Sequence, residues 1–157
     1  MRMTSLLTTG AVLAALGCSS EKVIPPANLS GTWDFSYVTR SAAGATCRGT
    51  MTFTISQTDQ TFVGFQNNPG QLFCEGVATR LVASSVSDPN EFDGERITAG
   101  VASESEVAFA LNTLKSSDAG MLVQAGVLSG TTTWTVPVQP RGNVTFTGTW
   151  TAFKRSQ

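Results

Sequence analysis

The feature that most constrains the fold is the near-regular alternation of threonine with apolar side chains between Val144 and Phe153. Side chains of a β-strand point to opposite faces with a period of two, so the threonines share one face and the apolar residues the other. The first candidate strand, Gly31 to Thr39, alternates in the same way. The tripeptide Gly-Thr-Trp occurs in both stretches, at residues 31–33 and 148–150. We therefore predict that these two strands are neighbours and close a barrel, which removes the exposed edges of an open sheet.

Shorter period-two stretches supply further strands. Residues 46–57 and 61–66 form two of them, joined by Thr58-Asp59-Gln60. We predict a three-residue turn at this junction, because Thr-Asp lacks the glycine that a two-residue turn prefers. This turn sets Ile55 opposite Val63, whereas a different turn length would change every partner along the pair.

The second half of the chain follows the same pattern. Residues 121–138 form either one long bent strand or a hairpin, with an interruption at Ser129-Gly130. No stretch of ten or more residues shows a helical period. The predicted fold class is therefore all-β, a single antiparallel up-and-down barrel of about eight strands. The other predicted elements are strands at 72–84, 95–102 and 106–111 and a loop at 113–120.

The first 17 residues have the three-part form of a secretory signal, with a positive start, an apolar run at 6–16 and small residues before Cys18. The apolar run is too short to span a bilayer as a helix. The segment Ala14 to Cys18 resembles the lipobox of bacterial lipoproteins. The resemblance implies cleavage before Cys18 and acyl chains on that residue, which together anchor a protein stably to a membrane. An ordinary soluble export signal is the alternative.

These observations divide the chain into a signal peptide (1–17), a lipidated tether (18–28) that contains Pro25-Pro26, and a β-barrel domain (29–155). Ser19, in place of an aspartate, favours sorting to the outer membrane. We expect the domain to face the periplasm or the cell surface.

The charge balance limits the class of partner. Removal of the predicted signal peptide, which contains Arg2, leaves nine of the ten Lys and Arg residues and all eleven Asp and Glu residues. The mature chain is therefore nearly neutral. Nucleic-acid-binding proteins carry basic patches, and no such patch is present in this sequence. We therefore expect no nucleic-acid partner.

Cys47 and Cys74 are the two cysteines that remain once Cys18 carries lipid. In an oxidising compartment an even pair predicts a disulfide. A redox-active or metal-binding pair is the alternative, but the spacing is not C-x-x-C and the chain has no histidine. An immunoglobulin-like sandwich is the alternative fold, yet no tryptophan lies between the two cysteines, as that fold would require.

The absence of histidine removes the common catalytic designs, including Ser-His-Asp and Cys-His nucleophiles and zinc sites of ordinary composition. We expect a protein that is not an enzyme and has no cofactor. Paired carboxylates for glycoside chemistry stay open, although spacing singles out no pair. The acidic segment Asp88 to Glu95 departs from the EF-hand pattern, since Ala99 stands where a bidentate glutamate belongs, and a solvated turn is favoured over calcium.

Aromatic residues fall on the predicted inward faces of the strands. An eight-stranded barrel has an interior just wide enough to be filled by side chains or to hold one small ligand. The aromatic set is therefore either a packed core or the lining of a ligand cup. The candidate ligand-binding residues are Trp33, Phe35, Tyr37, Phe53, Phe109, Trp134, Phe146 and Trp150.

The segment Leu29 to Trp33, with Lys154-Arg155 near the end of the chain, resembles the lipocalin and calycin barrels. In those barrels a G-x-W on the first strand packs against a basic residue near the C-terminus. The matching positions are Gly31, Trp33 and one of Lys154 or Arg155. The resemblance implies a lipocalin-like barrel that binds a small hydrophobic ligand at its open mouth. We expect no helix after the last strand, whereas a helix commonly follows the barrel in lipocalins.

The same opening, followed by two cysteines, also resembles the small periplasmic protease-inhibitor barrels of bacteria. In these barrels the segment before the first strand enters the cleft of the protease. Residues 19–28 would be that segment. This alternative implies a protease or an envelope protein as partner, or a structural role in the envelope, and no small-molecule ligand.

Overall fold

The computed structural model describes residues 27–76, 91–92, 94–138 and 142–156, so the predicted signal peptide, Cys18 and nearly all of the tether lie outside the described residues. No helix in the described part of the chain is long and apolar enough to cross a membrane. The strands are β1 (Gly31–Ser41), β2 (Thr46–Thr58), β3 (Thr61–Gln66), β4 (Gly70–Glu75), β5 (Glu91–Phe92), β6 (Arg96–Ala102), β7 (Glu106–Leu111), β8 (Ser117–Gln124), β9 (Val127–Val138) and β10 (Gly142–Lys154).

The strands form one antiparallel sheet that closes on itself. Its order is β1-β10-β9-β8-β7-β6-β3-β2, and β2 pairs again with β1. The short strand β4 pairs with the first half of β2, and β5 pairs with β4. The prediction of an all-β, lipocalin-like, antiparallel barrel is confirmed, and a closed sheet is not the two-layer arrangement of an immunoglobulin-like sandwich.

The first and last strands lie side by side, as the shared tripeptide predicts. The register sets Trp33 opposite Lys154 and Tyr37 opposite Trp150. In β1 the inward side chains are almost fully buried, whereas the threonines of β10 are exposed. The period-two pattern therefore identified the faces of both strands correctly.

The predicted turn between β2 and β3 is wrong. Thr58 pairs directly with Thr61, so the turn has two residues, and Ile55 lies opposite Gly64 instead of Val63. Asp59 has a φ of 52°, in the left-handed region that aspartate enters more readily than most residues. A glycine was therefore not required for the short turn. Val63, the predicted partner, points to the outside.

The structure contains the predicted disulfide between Cys47 and Cys74. These two residues are direct cross-strand partners on β2 and β4. β3 and β4 both pair with β2, but their registers differ by two residues, because residues 67–69 separate the two strands. This interruption brings Cys74 opposite Cys47.

The region from 113 to 138 differs from the prediction in two ways. The predicted loop at 113–120 ends early, because β8 begins at Ser117, and β8 and β9 form a hairpin that turns at Ala125-Gly126. Ser129-Gly130 lies inside β9, opposite Gly120 and its neighbour. A Cβ on Gly120 or Gly130 would clash with a backbone carbonyl of the paired strand and would come within 2.6 or 2.7 Å of the Trp150 ring, so both glycines permit the close approach of β8, β9 and that indole. The predicted strand at 72–84 is described only as far as Glu75 of β4.

Candidate ligand site in the barrel interior

The eight aromatic residues predicted to line the barrel all lie in its interior, with exposed fractions of 5% or less. Phe35 is central to them, because its ring centroid lies 5.5 Å from Phe53, 5.8 Å from Phe109 and 5.6 Å from Trp150. These separations are typical of favourable aromatic pairs. The rings around Phe35 therefore form a packed core. That any of the eight residues contacts a ligand stays a prediction.

One end of the barrel is covered by the residues that carry the lipocalin resemblance. The Trp33 indole donates to the Leu29 carbonyl at 2.7 Å, and Leu29 itself is buried. Lys154 Nζ lies 5.7 Å from the centre of the Trp33 ring. Arg155, the other predicted candidate, turns away and forms a two-point ion pair with Asp34. Lys154 is therefore the basic partner of the G-x-W tryptophan.

Farther from that end, three polar side chains point inward in one row across the sheet. Thr39 on β1 pairs with Gly148 on β10, which pairs with Thr132 on β9, which pairs with Asp118 on β8. The three polar side chains are 0 to 3% exposed. Gly148 contributes no side chain. The row lies next to Tyr37, which precedes Thr39 by one inward position on β1.

Five buried polar atoms in this region lack a hydrogen-bond partner, and they are all of the unpartnered buried side-chain atoms in the described residues. The large majority of buried side-chain polar atoms in proteins have a partner, so five without one on neighbouring inward positions are unusual. The rings of Tyr37 and Trp134 lie 5.3 Å apart, which joins the set into one surface. We call this set the polar cluster: Tyr37 Oη, Thr39 Oγ1, Asp118 Oδ1, Thr132 Oγ1 and Trp134 Nε1.

Asp118 is the charged member of the polar cluster. Its Oδ2 accepts a very short hydrogen bond from Ser116 Oγ, whereas Oδ1 has no partner. Burial raises the pKa of Asp118 to about 6, against the lowering effect of Ser116 and Thr132, and the charge of Glu95 raises it further. The Thr132 hydroxyl lies close enough to the carboxylate to lower its pKa. Asp118 is therefore a buried carboxyl with one hydroxyl donor, Ser116, and a second hydroxyl close by.

Glu95 is a second buried carboxylate, and its role is structural. Its Oε1 accepts from the backbone N–H groups of Arg96 and Thr113, both at 2.8 Å, and its Oε2 accepts from Leu114 at 3.1 Å. Of the other acidic residues weighed for calcium, Asp88 and Asp93 lie outside the described residues. Within those residues no group of three or more acidic, cysteine or histidine side chains could hold a metal ion.

Tyr37 completes the electrostatics of the cluster. Its pKa is raised well above its usual value, mainly by burial and then by the negative charges of Asp118 and Glu95. The hydroxyl therefore stays protonated and can donate. No Lys or Arg side chain among the described residues is buried.

Sequence reasoning found the aromatic members of the site and missed Thr39, Asp118 and Thr132. Thr39 continues the series of inward residues on β1, so its position in the alternation could have predicted that it points inward. Asp118 was placed in a predicted loop, where no inward direction could be assigned. Thr132 lies in a run of three threonines, and residue type alone does not show that the middle one points inward.

A shallow cleft of about 320 Å³ lies on the outer wall, where a bulge at Thr98-Ala99 widens the seam between β3 and β6. It is lined by outward residues such as Ser56, Val63 and Val101. None of the predicted site residues lines it.

No protein-family model matches this chain, and no curated protein matches it. Among solved structures, the chain is similar to an S-type phycobiliprotein lyase from Guillardia theta, with 9% sequence identity and a TM-score of 0.43 over 82% of this chain and 89% of that chain. No activity is inferred from a likeness this distant.

Proposed function

We propose that this chain is a lipid-anchored, extracytoplasmic binding protein that holds a small, largely apolar molecule inside its barrel. The observation that carries the proposal is the polar cluster. Each buried polar atom without a partner costs about 1–3 kcal/mol, so the cluster is an unfavourable feature of the closed barrel even though Thr132 lies close to Asp118. These atoms have no accessible surface, so the proposal requires the barrel to open; a molecule with a few hydrogen-bonding groups would then pair with them and lie against the rings of Tyr37 and Trp134.

We propose a binding role and no catalysis. The sequence has no histidine, and a binding site needs only complementary contacts. The polar cluster is suited to binding because it combines hydroxyls, an indole N–H and a carboxylate oxygen at the edge of an aromatic surface.

The envelope location is supported by two features. The lipobox-like segment before Cys18 is a property of the sequence, and Cys18 lies outside the described residues. The Cys47–Cys74 disulfide suits an oxidising compartment. We expect the mature N-terminal peptide to begin at an acylated Cys18, as mass spectrometry of membrane fractions can measure. A Cys18→Ala variant should be released from the membrane, and an unmodified Cys18 in the native host would contradict the anchor.

Native mass spectrometry of the protein from its own host tests the binding role. We expect a population that carries an added small-molecule mass. The double substitution Thr39→Val and Thr132→Val should remove that mass, because it keeps the side-chain shape and deletes two hydroxyls of the cluster. The matched control is Thr145→Val with Thr147→Val, which changes two exposed threonines of β10 and should keep the mass.

A folded wild-type protein that shows only the mass of its own chain, and that binds nothing from a library of small apolar molecules, would refute the binding role. The same barrel slowing a co-resident protease would support the alternative partner, a protease or another envelope protein.

A further inference from the structure

The exposed apolar side chains are concentrated at one end of the barrel, which we call the tether end. It holds the starts of β1, β3, β7 and β9 and the ends of β2, β6, β8 and β10. Eight large hydrophobic side chains are exposed in the described part of the chain, and five of them lie within three residues of these strand ends. We call the five the apolar arc: Val63, Val101, Met121, Val123 and Phe153.

The apolar arc follows the outer wall across neighbouring strands. In the sheet order β10-β9-β8-β7-β6-β3 it occupies β10, β8, β6 and β3. The two strands between them contribute Val127, which is partly buried and lies opposite Phe153, and Ala108, which is exposed and lies opposite Val101. The arc is therefore one side of the tether end, and an exposed apolar surface of this kind marks an interaction site.

The chain that precedes β1 also reaches the barrel at this end. The Ala27 N–H donates to the carbonyl of Ser103 in the turn between β6 and β7 at 3.2 Å, and Ser103 follows Val101 by two residues. Cys18 precedes Ala27 by nine residues, which span at most about 30 Å when fully extended. A lipid anchor at Cys18 would therefore hold the tether end close to the membrane surface. The bilayer is the apolar partner that the position of the arc favours.

The charges beside the arc define the kind of lipid surface that fits it. Glu106 lies opposite Met121, and the Asp34–Arg155 ion pair lies beside Phe153. Anionic lipids attract clusters of Lys and Arg, and charges of both signs flank this arc. A zwitterionic phospholipid surface is thus the better match.

We propose that the apolar arc lies against the bilayer, so that the tether end of the barrel faces the membrane and the polar cluster lies on the side away from it. This inference rests on the lipid anchor of the proposed function. Side chains at a membrane surface gain free energy by burial in the boundary between headgroups and acyl chains. Burial of the exposed half of a Val or Phe side chain favours this orientation by a factor of about three to ten.

Mature acylated protein in phosphatidylcholine vesicles tests the orientation. A fluorescent dye is attached through Gln124→Cys, at the exposed end of β8 beside the arc, or through Thr145→Cys, an exposed position toward the other end of β10. Lipids that carry a nitroxide on the acyl chain should quench the dye at residue 124. The dye at residue 145 should keep its emission.

The double substitution Val123→Ser and Phe153→Ser should lower the ratio of quenched to unquenched dye at residue 124 about tenfold or more, because two buried apolar groups are lost. The matched control is Val38→Ser with Phe73→Ser, which changes two equally exposed hydrophobic residues outside the arc and should leave the ratio unchanged. Circular dichroism confirms that each variant is folded.

An acylated protein whose dye at residue 124 is not quenched, or whose two dyes are quenched equally, would overturn the orientation and leave the anchor in place. Energy transfer between labelled copies that Val123→Ser with Phe153→Ser removes, without nitroxide quenching, would assign the arc to a second copy of the chain and would also overturn it. The mass of the N-terminal peptide decides separately whether Cys18 is acylated, and native mass spectrometry decides whether the barrel holds a ligand.

Discussion

Replacing Asp118 by asparagine should change how the stability of the barrel depends on pH. The pKa of this carboxyl is raised to about 6 from an ordinary 3.8, mainly by burial, with the charge of Glu95 acting in the same direction. Ser116 and Thr132 oppose the rise without cancelling it. Tyr37 faces the same carboxylate and stays protonated, so it does not titrate in this range.

The sign follows from proton binding. The folded protein holds a proton on Asp118 up to about pH 6, whereas the unfolded chain releases it near 3.8. The contribution of Asp118 to stability is therefore fully present below the unfolded pKa and is lost as the pH rises through the folded pKa. A difference of about two pKa units at about 1.4 kcal/mol each gives a loss of about 3 kcal/mol. Asparagine is neutral throughout and does not show this loss.

Urea unfolding of ligand-free, refolded protein with the disulfide intact measures the effect between about pH 4 and 7.5. The unfolding free energy of wild type relative to Asp118→Asn should fall by about 2–3 kcal/mol over this range. The pKa of Asp34 is lowered by its hydrogen bond to Arg155, so its contribution has the opposite sign and is lost in more acidic solution. Asp34→Asn should thus keep the wild-type dependence above about pH 5. Parallel curves for wild type and Asp118→Asn would refute the reasoning.

Three further substitutions test the packing and bonding of the barrel by urea unfolding. Gly130→Ala should cost about 1–3 kcal/mol or more, because the added methyl would meet the backbone carbonyl of Ala119 on β8 and then the Trp150 ring. Replacing Cys47 and Cys74 together by serine should cost about 3 kcal/mol, because the unfolded chain regains the freedom of the closed loop. Glu95→Gln should cost about 1–3 kcal/mol, because a buried backbone N–H loses its acceptor.

Each of these changes has a matched control. Thr131→Ala alters the outward neighbour of Gly130, and Glu106→Gln neutralises an exposed carboxylate, so both should leave stability within about 0.5 kcal/mol of wild type. Reduced wild type should resemble the double serine variant. A Gly130→Ala protein as stable as its control would contradict the close packing of Gly130 against β8 and Trp150. A Glu95→Gln protein as stable as wild type would mean that the N–H group that loses its acceptor finds another one.

The strands and their inward faces could be predicted because a half-buried strand repeats with a period of two. Trp33, Phe35 and Tyr37 alternate with polar residues in β1, and β10 does the same, so burial of one face explains both patterns at once. The pairing of β1 with β10 could also be predicted, because a meander without free edges must join its first strand to its last. These inferences use only local pattern and the cost of an exposed edge.

Register could not be predicted by the same means, because it depends on single residues at turns and close contacts. Asp59 adopts a left-handed conformation, although the turn contains no glycine. Gly130 interrupts the apolar pattern of β9 without ending the strand, because the backbone of β8 at Ala119 and the indole of Trp150 occupy the space of its missing side chain. Rules based on residue propensity take glycine as a sign of a turn. Gly130 instead lies inside a strand, because atoms distant in sequence pack closely against it.

The polar cluster depends on phase, which is why residue types alone did not reveal it. Threonine is the usual outward residue of this barrel, so an inward Thr39 or Thr132 differs from its neighbours only in position. Asp118 could be assigned to the interior only once β8 was known to start at Ser117 and to pair with β9. The sequence pattern therefore predicts the apolar interior of the barrel, whereas the polar residues within that interior become visible only from the pairing of the strands.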